Sequence, residues 1–368
     1  HPEVVSAMSD AALESVSMVE VQAAASRVIR GLTGAEAGYV TAGASSGLTL
    51  GTAAILAGLD PAKMERLPDT TGMKSEIIIS REHRSGYDHA IRLAGARLIE
   101  VGMNEQTSGA GSRRTEAWEY QAAVTGETAG IAYVAAPDSR PSLESVVAVA
   151  RKHSLPVLVD AAGQLPPVSN LRAFVEMGAD LVTFSGGKAI RGPQAAGVLC
   201  GRRDLIASVA MQHLDMDESL DIWDPPEDLI PRSRISAIPR HGIGRGFKVS
   251  KEAVVGMLTG LKLFAQGKTG PDEGDQARWL EYVADGVSGL PAEPRVLGSP
   301  GAGGPVMHLV LDTEALGRSA HEVCRELKRG EPGVFPGELL LDQGTLIISP
   351  INLDQARTEA LTGRLRDV

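Results

Sequence analysis

Seven short apolar segments, separated by stretches of helical periodicity, constrain this chain more than any other feature. The segments are GYVTAG (38–43), EIIIS (76–80), RLIEV (97–101), GIAYVAA (130–136), PVLVDAA (156–162), DLVTFSG (180–186) and GVLCG (197–201). The helical stretches lie around 85–95, 115–124, 142–153 and 170–178. Near-continuous apolar strands that alternate with helices are typical of a parallel sheet buried on both faces. We therefore predict an α/β fold with a mainly parallel seven-stranded sheet and helices on both faces.

The sequence predicts three successive regions. Apolar spacing over 11–30 is helical, which indicates an N-terminal helical segment over residues 1–30. The sheet-containing large domain is expected over 31–250, and it includes a long irregular stretch at 214–240. From residue 251 two helical stretches precede the apolar segments VMHLVLD and TLIIS. We interpret 251–368 as a smaller C-terminal α+β domain.

Composition excludes several classes of partner. The formal net charge of −10 argues against nucleic acid, which is bound through clustered Lys and Arg. The two cysteines, Cys200 and Cys324, are far apart and outside any metal-binding spacing, which fits a reducing cytoplasm. No apolar run reaches the roughly 20 residues that cross a bilayer, and no signal-peptide pattern opens the chain. We expect a cytoplasmic protein with no membrane partner.

Two polar residues end neighbouring apolar segments, where ligands of open α/β sheets bind. Lys188 follows DLVTFSGG and is either a surface residue with a solvated ammonium or a partly buried nucleophile. Asp160 ends PVLVD, where a carboxylate needs a cation, a protonated heterocycle or an N-cap role. Both side chains should project toward the same cleft.

The pairing of Lys188 with Asp160 indicates pyridoxal 5′-phosphate. A lysine amine forms a Schiff base with the aldehyde, and an aspartate keeps the pyridine nitrogen protonated so that the ring can take up electrons. We interpret Gly186 and Gly187 as glycines that let the backbone turn close to a bulky cofactor. Ser185 can donate a hydrogen bond to the phosphate.

Further candidates lie after other strands. The GASSG stretch (43–47) opens a helix whose N–H groups can bind a phosphate, although serines there are also ordinary N-caps. His83 follows EIIIS, where its ring could cover a planar ligand. The spacing of His83, Asp88 and His89 matches no metal-ligand pattern, so no metal is expected.

A basic segment, RHGIGRGFKVSKEAV, is the candidate site for a substrate or phosphate anion. We single out Arg240 and Arg245 as its anion-binding residues. The alternative is a group of solvated charges that lead into a helix.

Five segments together resemble the fold-type I pyridoxal-phosphate enzymes of the selenocysteine synthase-like group, which includes D-glucosaminate-6-phosphate ammonia-lyase. They are TAGASSG, REHRSGYDHA, VDAAGQLPP, FSGGKAIRGPQAAG and GRGFKVSKE. The resemblance covers nearly the whole chain, and the lysine and aspartate segments are its most specific parts. It implies a fold-type I large domain with a smaller C-terminal domain, and a homodimer or larger homo-oligomer with shared active sites.

The resemblance also implies residue roles. Lys188 would carry the cofactor as a Schiff base, Asp160 would contact the pyridine nitrogen, and His83 would stack on the ring. The remaining cofactor-binding residues that it implies are Ala44, Ser45, Ser46 and Ser185 around the phosphate, together with Gln164.

The resemblance leaves the reaction open among several types. Selenocysteine synthases carry an additional N-terminal region for tRNA, and the stretch before the large domain is too short for one. We therefore expect a small amino acid or amino sugar acid as substrate. The leading hypothesis is an ammonia-lyase, in which Lys188 removes the Cα proton, a β-hydroxyl leaves, and a 2-oxo acid and ammonia result.

Three alternatives are weaker. A racemase or epimerase would need a second acid opposite Lys188, and His83 or Tyr87 could supply it. An aminotransferase would need an arginine for the substrate carboxylate, for which Arg240 and Arg245 are only candidates. A non-catalytic cofactor-binding scaffold would not require both Lys188 and Asp160.

Overall fold

The computed structural model describes residues 1–103, 114–270, 273–298 and 304–367. The chain divides into two compact units, His1–Thr269 and Gly270–Val368.

The first unit contains the seven-stranded sheet. Its strands are β1 (Ala37–Thr41), β2 (Glu76–Ser80), β3 (Arg97–Val101), β4 (Thr128–Val134), β5 (Val157–Asp160), β6 (Leu181–Ser185) and β7 (Gly197–Gly201). They lie in the order β1-β7-β6-β5-β4-β2-β3. β7 is antiparallel to β1 and β6, and the other neighbouring pairs are parallel. The prediction of a mainly parallel seven-stranded sheet is confirmed.

Helices cover both faces of this sheet. They are α1 (Pro2–Ala12), α2 (Met18–Thr33), α3 (Ala44–Ala57), α4 (Pro61–Arg66), α5 (Asp88–Leu93), α6 (Ala117–Ala123), α7 (Leu143–Lys152), α8 (Asn170–Glu176), α9 (Arg203–His213) and α10 (Lys251–Ala265). Alternate strand residues enter separate cores, because successive side chains of a strand point to opposite faces. Ile77 and Ile79 pack with the core that includes α3 and α9, and Ile78 packs with the core that includes α2 and α7.

The N-terminal region differs from the single helix expected over 11–30. α1 ends before Leu13, and α2 begins after its N-cap, Ser17, which is in an extended conformation. The intervening Glu14–Ser17 stretch has two serines and a valine, which favour helix less than the flanking alanines do.

The boundary between the two units falls after Thr269, whereas the sequence placed it at 250. The reason is the packing of α10, which contacts α1 and α2 and carries the fully buried Val254 and Met257. The stretch 214–240 is irregular as predicted, with one short 3-10 turn at Arg232–Arg234.

The second unit is a small α+β structure, as predicted. Its elements are α11 (Glu273–Gly286), β8 (Ala292–Leu297), β9 (Val306–Leu311), α12 (Thr313–Leu316), α13 (Ala320–Arg329), β10 (Thr345–Ile348) and α14 (Gln355–Arg366). The strands form an antiparallel sheet in the order β10-β9-β8. β8 was not predicted, because its sequence AEPRVL contains Pro294 and two charged residues. Such a strand is tolerated at a sheet edge, where β8 lies.

Candidate active site

Lys188 and Asp160 lie at the carboxyl ends of adjacent parallel strands. Asp160 is the last residue of β5, and its register partner on β6 is Thr183. Lys188 follows β6 in a tight turn that is closed by a hydrogen bond of 2.9 Å from Arg191 N–H to its carbonyl oxygen. Its ammonium extends toward the loop that follows β5. A methyl group built on Gly163, in that loop, would lie 3.7 Å from Lys188 Nζ.

The Asp160 carboxylate is poorly solvated. Burial raises its pKa, while a hydrogen bond of 3.0 Å from Ala162 N–H and the charge of Lys188 act in the opposite direction. Lys188 itself is exposed in the single chain, so the partial burial expected from the sequence is not observed there. The arrangement can accept a further cation or protonated heterocycle beside Asp160.

The two glycines before Lys188 have a packing role that the sequence interpretation missed. A methyl group on Gly186 would lie 2.3 Å from Met257 Sδ and 2.6 Å from the Ala196 carbonyl oxygen. One on Gly187 would lie 2.6 Å from Gln194 Oε1. Contacts within the protein therefore favour glycine at both positions, and the interpretation that they also leave room for a cofactor stays a prediction.

The N-terminus of α3 lies against the ends of β6 and β7. A methyl group on Gly197 would lie 2.7 Å from the Gly43 carbonyl carbon and 2.8 Å from Ala44 N, so only glycine allows this approach. Gly197 pairs in register with Ser185. Ser185 thus lies beside the start of α3, as the predicted phosphate site requires.

The first turn of α3 offers donors to an anion. The N–H groups of Ala44, Ser45 and Ser46 have no partner within the helix, because the first turn lacks preceding carbonyls. The Ser46 hydroxyl is buried without a hydrogen-bond partner, and Ser45 is exposed. An uncompensated buried hydroxyl at a helix N-terminus fits a phosphate oxygen.

His83 is buried beside β4, the strand that pairs with β5. Its Nδ1 accepts a hydrogen bond of 3.4 Å from Val134 N–H, and Val134 is the register partner of Asp160. Its ring meets the Tyr133 ring edge-on at 4.7 Å between centroids. Burial lowers the pKa of His83 to about 4, with the charge of Glu82 acting against this shift and that of Arg114 adding to it. The Nε2 atom is buried and has no partner.

Sequence reasoning missed the residues that anchor the His83 segment. Glu82 Oε1 accepts a hydrogen bond of 2.9 Å from Thr115 N–H, and Glu82 Oε2 accepts one of 2.6 Å from Arg114 Nε. Burial alone would raise the pKa of Glu82, but these hydrogen bonds lower it. Thr115 is 33 residues away from Glu82 in sequence, and no local pattern signals the pairing.

Two other predicted residues lie close to Asp160. Gln164 is half-buried, and its N–H donates to the Ala161 carbonyl oxygen at 3.0 Å. The exposed Tyr87 lines a narrow cleft that extends from α5 to Asp160.

Arg240 and Arg245 are engaged by carboxylates elsewhere in the first unit. Arg240 donates to Glu65 through its backbone N–H at 2.8 Å and through its guanidinium at 3.1 Å. Arg245 donates to Asp215 at 2.6 Å. Among the contacts of the described residues, none joins either arginine to Lys188 or Asp160. Anion binding by these arginines stays a prediction, and each would have to exchange its carboxylate partner.

The residues weighed as a metal site do not form one. Asp88 is buried and accepts hydrogen bonds from Arg84 and from Ser85 N–H. In the described part of the chain, the three exposed residues Asp215, Asp217 and His241 have side-chain ligand atoms within 4.8 Å of one another, which is close enough to hold a metal ion. No helix among the described residues has the length and apolarity required to span a membrane.

Comparison with known proteins identifies the family. The family model described as SelA, L-seryl-tRNA selenium transferase, matches residues 10–221, which is more than half of the chain. This chain belongs to the SelA family. Within the match lie Lys188, Asp160, His83 and the α3 N-terminus.

Individual relatives cover almost the full chain. D-glucosaminate-6-phosphate ammonia lyase of Salmonella typhimurium is 28% identical over 377 residues, which span 100% of this chain and 90% of the relative. 5′-C-glycyluridine monooxygenase-decarboxylase of a Streptomyces species is 29% identical and spans 99% and 84%. The names of these two relatives describe different reactions.

Solved structures show the fold. A structure of D-glucosaminate-6-phosphate ammonia-lyase matches with a TM-score of 0.79 and 27% identity, over 100% of this chain and 90% of that chain. A serine palmitoyltransferase from S. paucimobilis with bound PLP matches with a TM-score of 0.54 at 14% identity, over 100% and 83%. This SelA-family chain therefore has the fold-type I architecture of the pyridoxal-phosphate enzymes.

Proposed function

We propose that this SelA-family protein is a pyridoxal-phosphate-dependent lyase that releases ammonia from a small amino acid or amino sugar acid. The observation that carries the proposal is the convergence of Lys188 and Asp160 at adjacent strand ends, with the charge of Lys188 acting on Asp160. The similarity to an ammonia lyase over the full chain supports the reaction type.

The residues present fit the cofactor. The partnerless Ser46 hydroxyl and the first-turn N–H groups of α3 would bind the phosphate, with Ser185 beside them. The Asp160 carboxylate would hold the proton of the ring nitrogen, which relieves its own poor solvation. We expect His83 to lie over the ring and Gln164 to contact the cofactor from the Asp160 side. When bound, pyridoxal phosphate accepts the electron pair that remains on the substrate after proton loss.

Lys188 has two tasks in this proposal. Its Nζ would hold the cofactor through the aldehyde carbon until the substrate amine takes its place, and the free amine would then remove the Cα proton. The β-hydroxyl then leaves as water after taking up a proton. Addition of water to the dehydrated product gives a 2-oxo acid and ammonia, so the net reaction neither consumes nor produces water.

A racemase is the second candidate. It needs a proton donor on the face opposite Lys188, and the hydroxyl of the exposed Tyr87, beside the cleft that reaches Asp160, could serve. His83 is a poor candidate for that role, since burial lowers its pKa to about 4 and the ring is neutral at physiological pH. An aminotransferase is less well supported, because Arg240 and Arg245 already bind carboxylates.

We also propose a homodimer or larger homo-oligomer in the cytoplasm. Lys188 and Ser45 are exposed in the single chain, which suits a site that a second copy covers. Sedimentation of the cofactor-loaded protein as a monomer would contradict this part of the proposal.

The lyase proposal is tested by product analysis. The loaded enzyme is incubated with β-hydroxy amino acids and with amino sugar acids of both configurations, with and without phosphate. We expect ammonia and a 2-oxo acid in equal amounts from at least one substrate, and none with Lys188→Ala. Inversion at Cα without ammonia would establish the racemase instead.

A further inference from the structure

We infer that His83 is a hydrogen-bond donor held in the Nε2–H tautomer, and that it binds an oxygen atom of the cofactor or substrate. The inference rests on the proposed function for the identity of the ligand. It assigns His83 a role other than general acid or base.

The tautomer follows from the contact at Nδ1. Val134 N–H, which can only donate, points at His83 Nδ1 over 3.4 Å. Nδ1 must therefore present a lone pair, and a neutral imidazole then carries its proton on Nε2. The edge-on contact with Tyr133 restrains the plane of the ring.

The charged groups near His83 do not offer the usual partner of a basic histidine. Glu82 is the neighbouring carboxylate, but its oxygens accept hydrogen bonds from Thr115 and Arg114. The positive charge of Arg114 opposes protonation of the His83 ring, and His83 is only 6% exposed. Within the described residues, no carboxylate is hydrogen-bonded to either ring nitrogen of His83.

A second buried histidine shows what His83 lacks. His213 Nδ1 pairs with the Tyr39 hydroxyl at 2.9 Å, and His213 Nε2 pairs with the Phe247 carbonyl oxygen at 3.2 Å. Both nitrogens of His213 are thus satisfied, with the proton on Nε2 because a carbonyl can only accept. His83 has the corresponding Nδ1 contact, but its Nε2 has no partner. A buried donor without a partner is costly, so a ligand oxygen is the group expected to complete it.

The donor also has a defined reach relative to the cofactor. If the His83 ring lies over the cofactor ring, its N–H bonds point along its own plane and past the cofactor face. The acceptor would then be an oxygen that leaves the cofactor plane toward His83. Such oxygens are available on the cofactor's phosphate group and on the carboxylate or hydroxyl of the attached substrate.

The tautomer is tested without reference to activity. ¹⁵N-histidine spectra of the full chain, with and without pyridoxal phosphate, are recorded between about pH 5.5 and 8. The His83 signals, assigned by their loss in His83→Gln, should show a bare Nδ1 and a protonated Nε2 throughout. His213 serves as the internal control with the same tautomer. A proton on Nδ1, or an imidazolium in this pH range, would overturn the inference even if ammonia is released.

Two variants test the donor. His83→Gln keeps an N–H group near the Nε2 position, whereas His83→Phe keeps a ring without a donor. We expect His83→Phe to weaken binding about tenfold and His83→Gln to restore most of the loss. An increase in the Kd for pyridoxal phosphate identifies a cofactor oxygen, and an increase in the KM for substrate alone identifies a substrate oxygen. Equal or better binding by His83→Phe than by His83→Gln in both measurements would show that stacking alone matters.

Discussion

At the scale of single residues, Asp160 is placed where its charge is costly to the folded chain. Burial raises its pKa above the ordinary aspartate value, and neither Ala162 N–H nor Lys188 fully compensates. A residue that destabilises the empty protein but matches a protonated ring nitrogen is typical of a functional site. The cost should be measurable without any cofactor.

We predict that Asp160→Asn makes the cofactor-free protein more stable at pH 7. The ionised carboxylate is disfavoured only in the folded state, so the gain should disappear below about pH 4, where aspartate is protonated in both states. Thermal unfolding at both pH values measures the difference. Asp180→Asn is the matched control, since Asp180 accepts hydrogen bonds from Val157 N–H at 2.8 Å and from Arg202 at 3.1 Å. It should lower stability at pH 7, and a loss of stability in Asp160→Asn as well would refute this account.

At the scale of elements, the contact of α3 with the sheet positions the candidate phosphate site. The Thr183 hydroxyl on β6 lies 3.4 Å from the Ala44 carbonyl oxygen and 3.2 Å from that of Val198, and its single proton can be donated to either. A methyl group on Gly47 would lie 2.4 Å from Thr183 Oγ1. Glycine is therefore required at this position for close packing of helix on strand.

We predict that Gly47→Ala destabilises the protein by about 1–3 kcal/mol through overpacking, and weakens phosphate-group binding because the helix start moves. Gly31→Ala is the control, since Gly31 lies within α2 and has nothing within 4 Å of the added methyl group. That variant should be more stable by roughly 0.5–1 kcal/mol. Urea unfolding measures both, and a neutral Gly47→Ala would mean that α3 can shift without cost.

At the scale of the whole molecule, the sequence predicted the architecture of the first unit well because six of its seven strands are almost entirely buried. The exception is the edge strand β3, which is largely exposed. Near-continuous apolar runs are unambiguous, and all seven correspond to strands. β8 was missed since an edge strand need not be apolar. Once the strands were located, Lys188 and Asp160 stood out because they are polar residues at or just after strand ends, where ligands of open α/β sheets bind.

The side-chain pairings could not be predicted in this way. Glu82 meets Thr115 across 33 residues, and Arg240 meets Glu65 across 175. Such contacts depend on tertiary packing and leave no periodic signal. The packing of Met257 against Gly186 and of Gln194 against Gly187 was likewise not predictable, because no local sequence pattern marks these contacts.

The two buried histidines should give the first unit a marked acid sensitivity. Burial lowers the pKa of His83 and of His213 to about 4, against about 6.5 in the unfolded chain. Their contribution to the free energy of unfolding is fully present above pH 6.5 and is lost as the pH falls toward 4. The reason is that the unfolded chain then binds protons that the folded chain excludes. The loss is on the order of 3 kcal/mol for each. Urea unfolding of the cofactor-free protein from pH 7 to pH 4 measures it.

The control for this pH dependence is the double variant His83→Gln/His213→Gln. Its stability should vary less between pH 6.5 and 4, whatever its absolute value. An unchanged slope would show that other groups cause the acid sensitivity.

Identification of the lysine that carries the cofactor tests the central claim most directly. The protein is loaded with pyridoxal phosphate, reduced with borohydride, digested and analysed by mass spectrometry. We predict the mass of the reduced cofactor on the peptide that contains Lys188, loss of that label in Lys188→Ala, and its retention in Asp160→Asn. A label on Lys248 or Lys251 instead, or no label after loading, would contradict the placement of the site at the ends of β5 and β6.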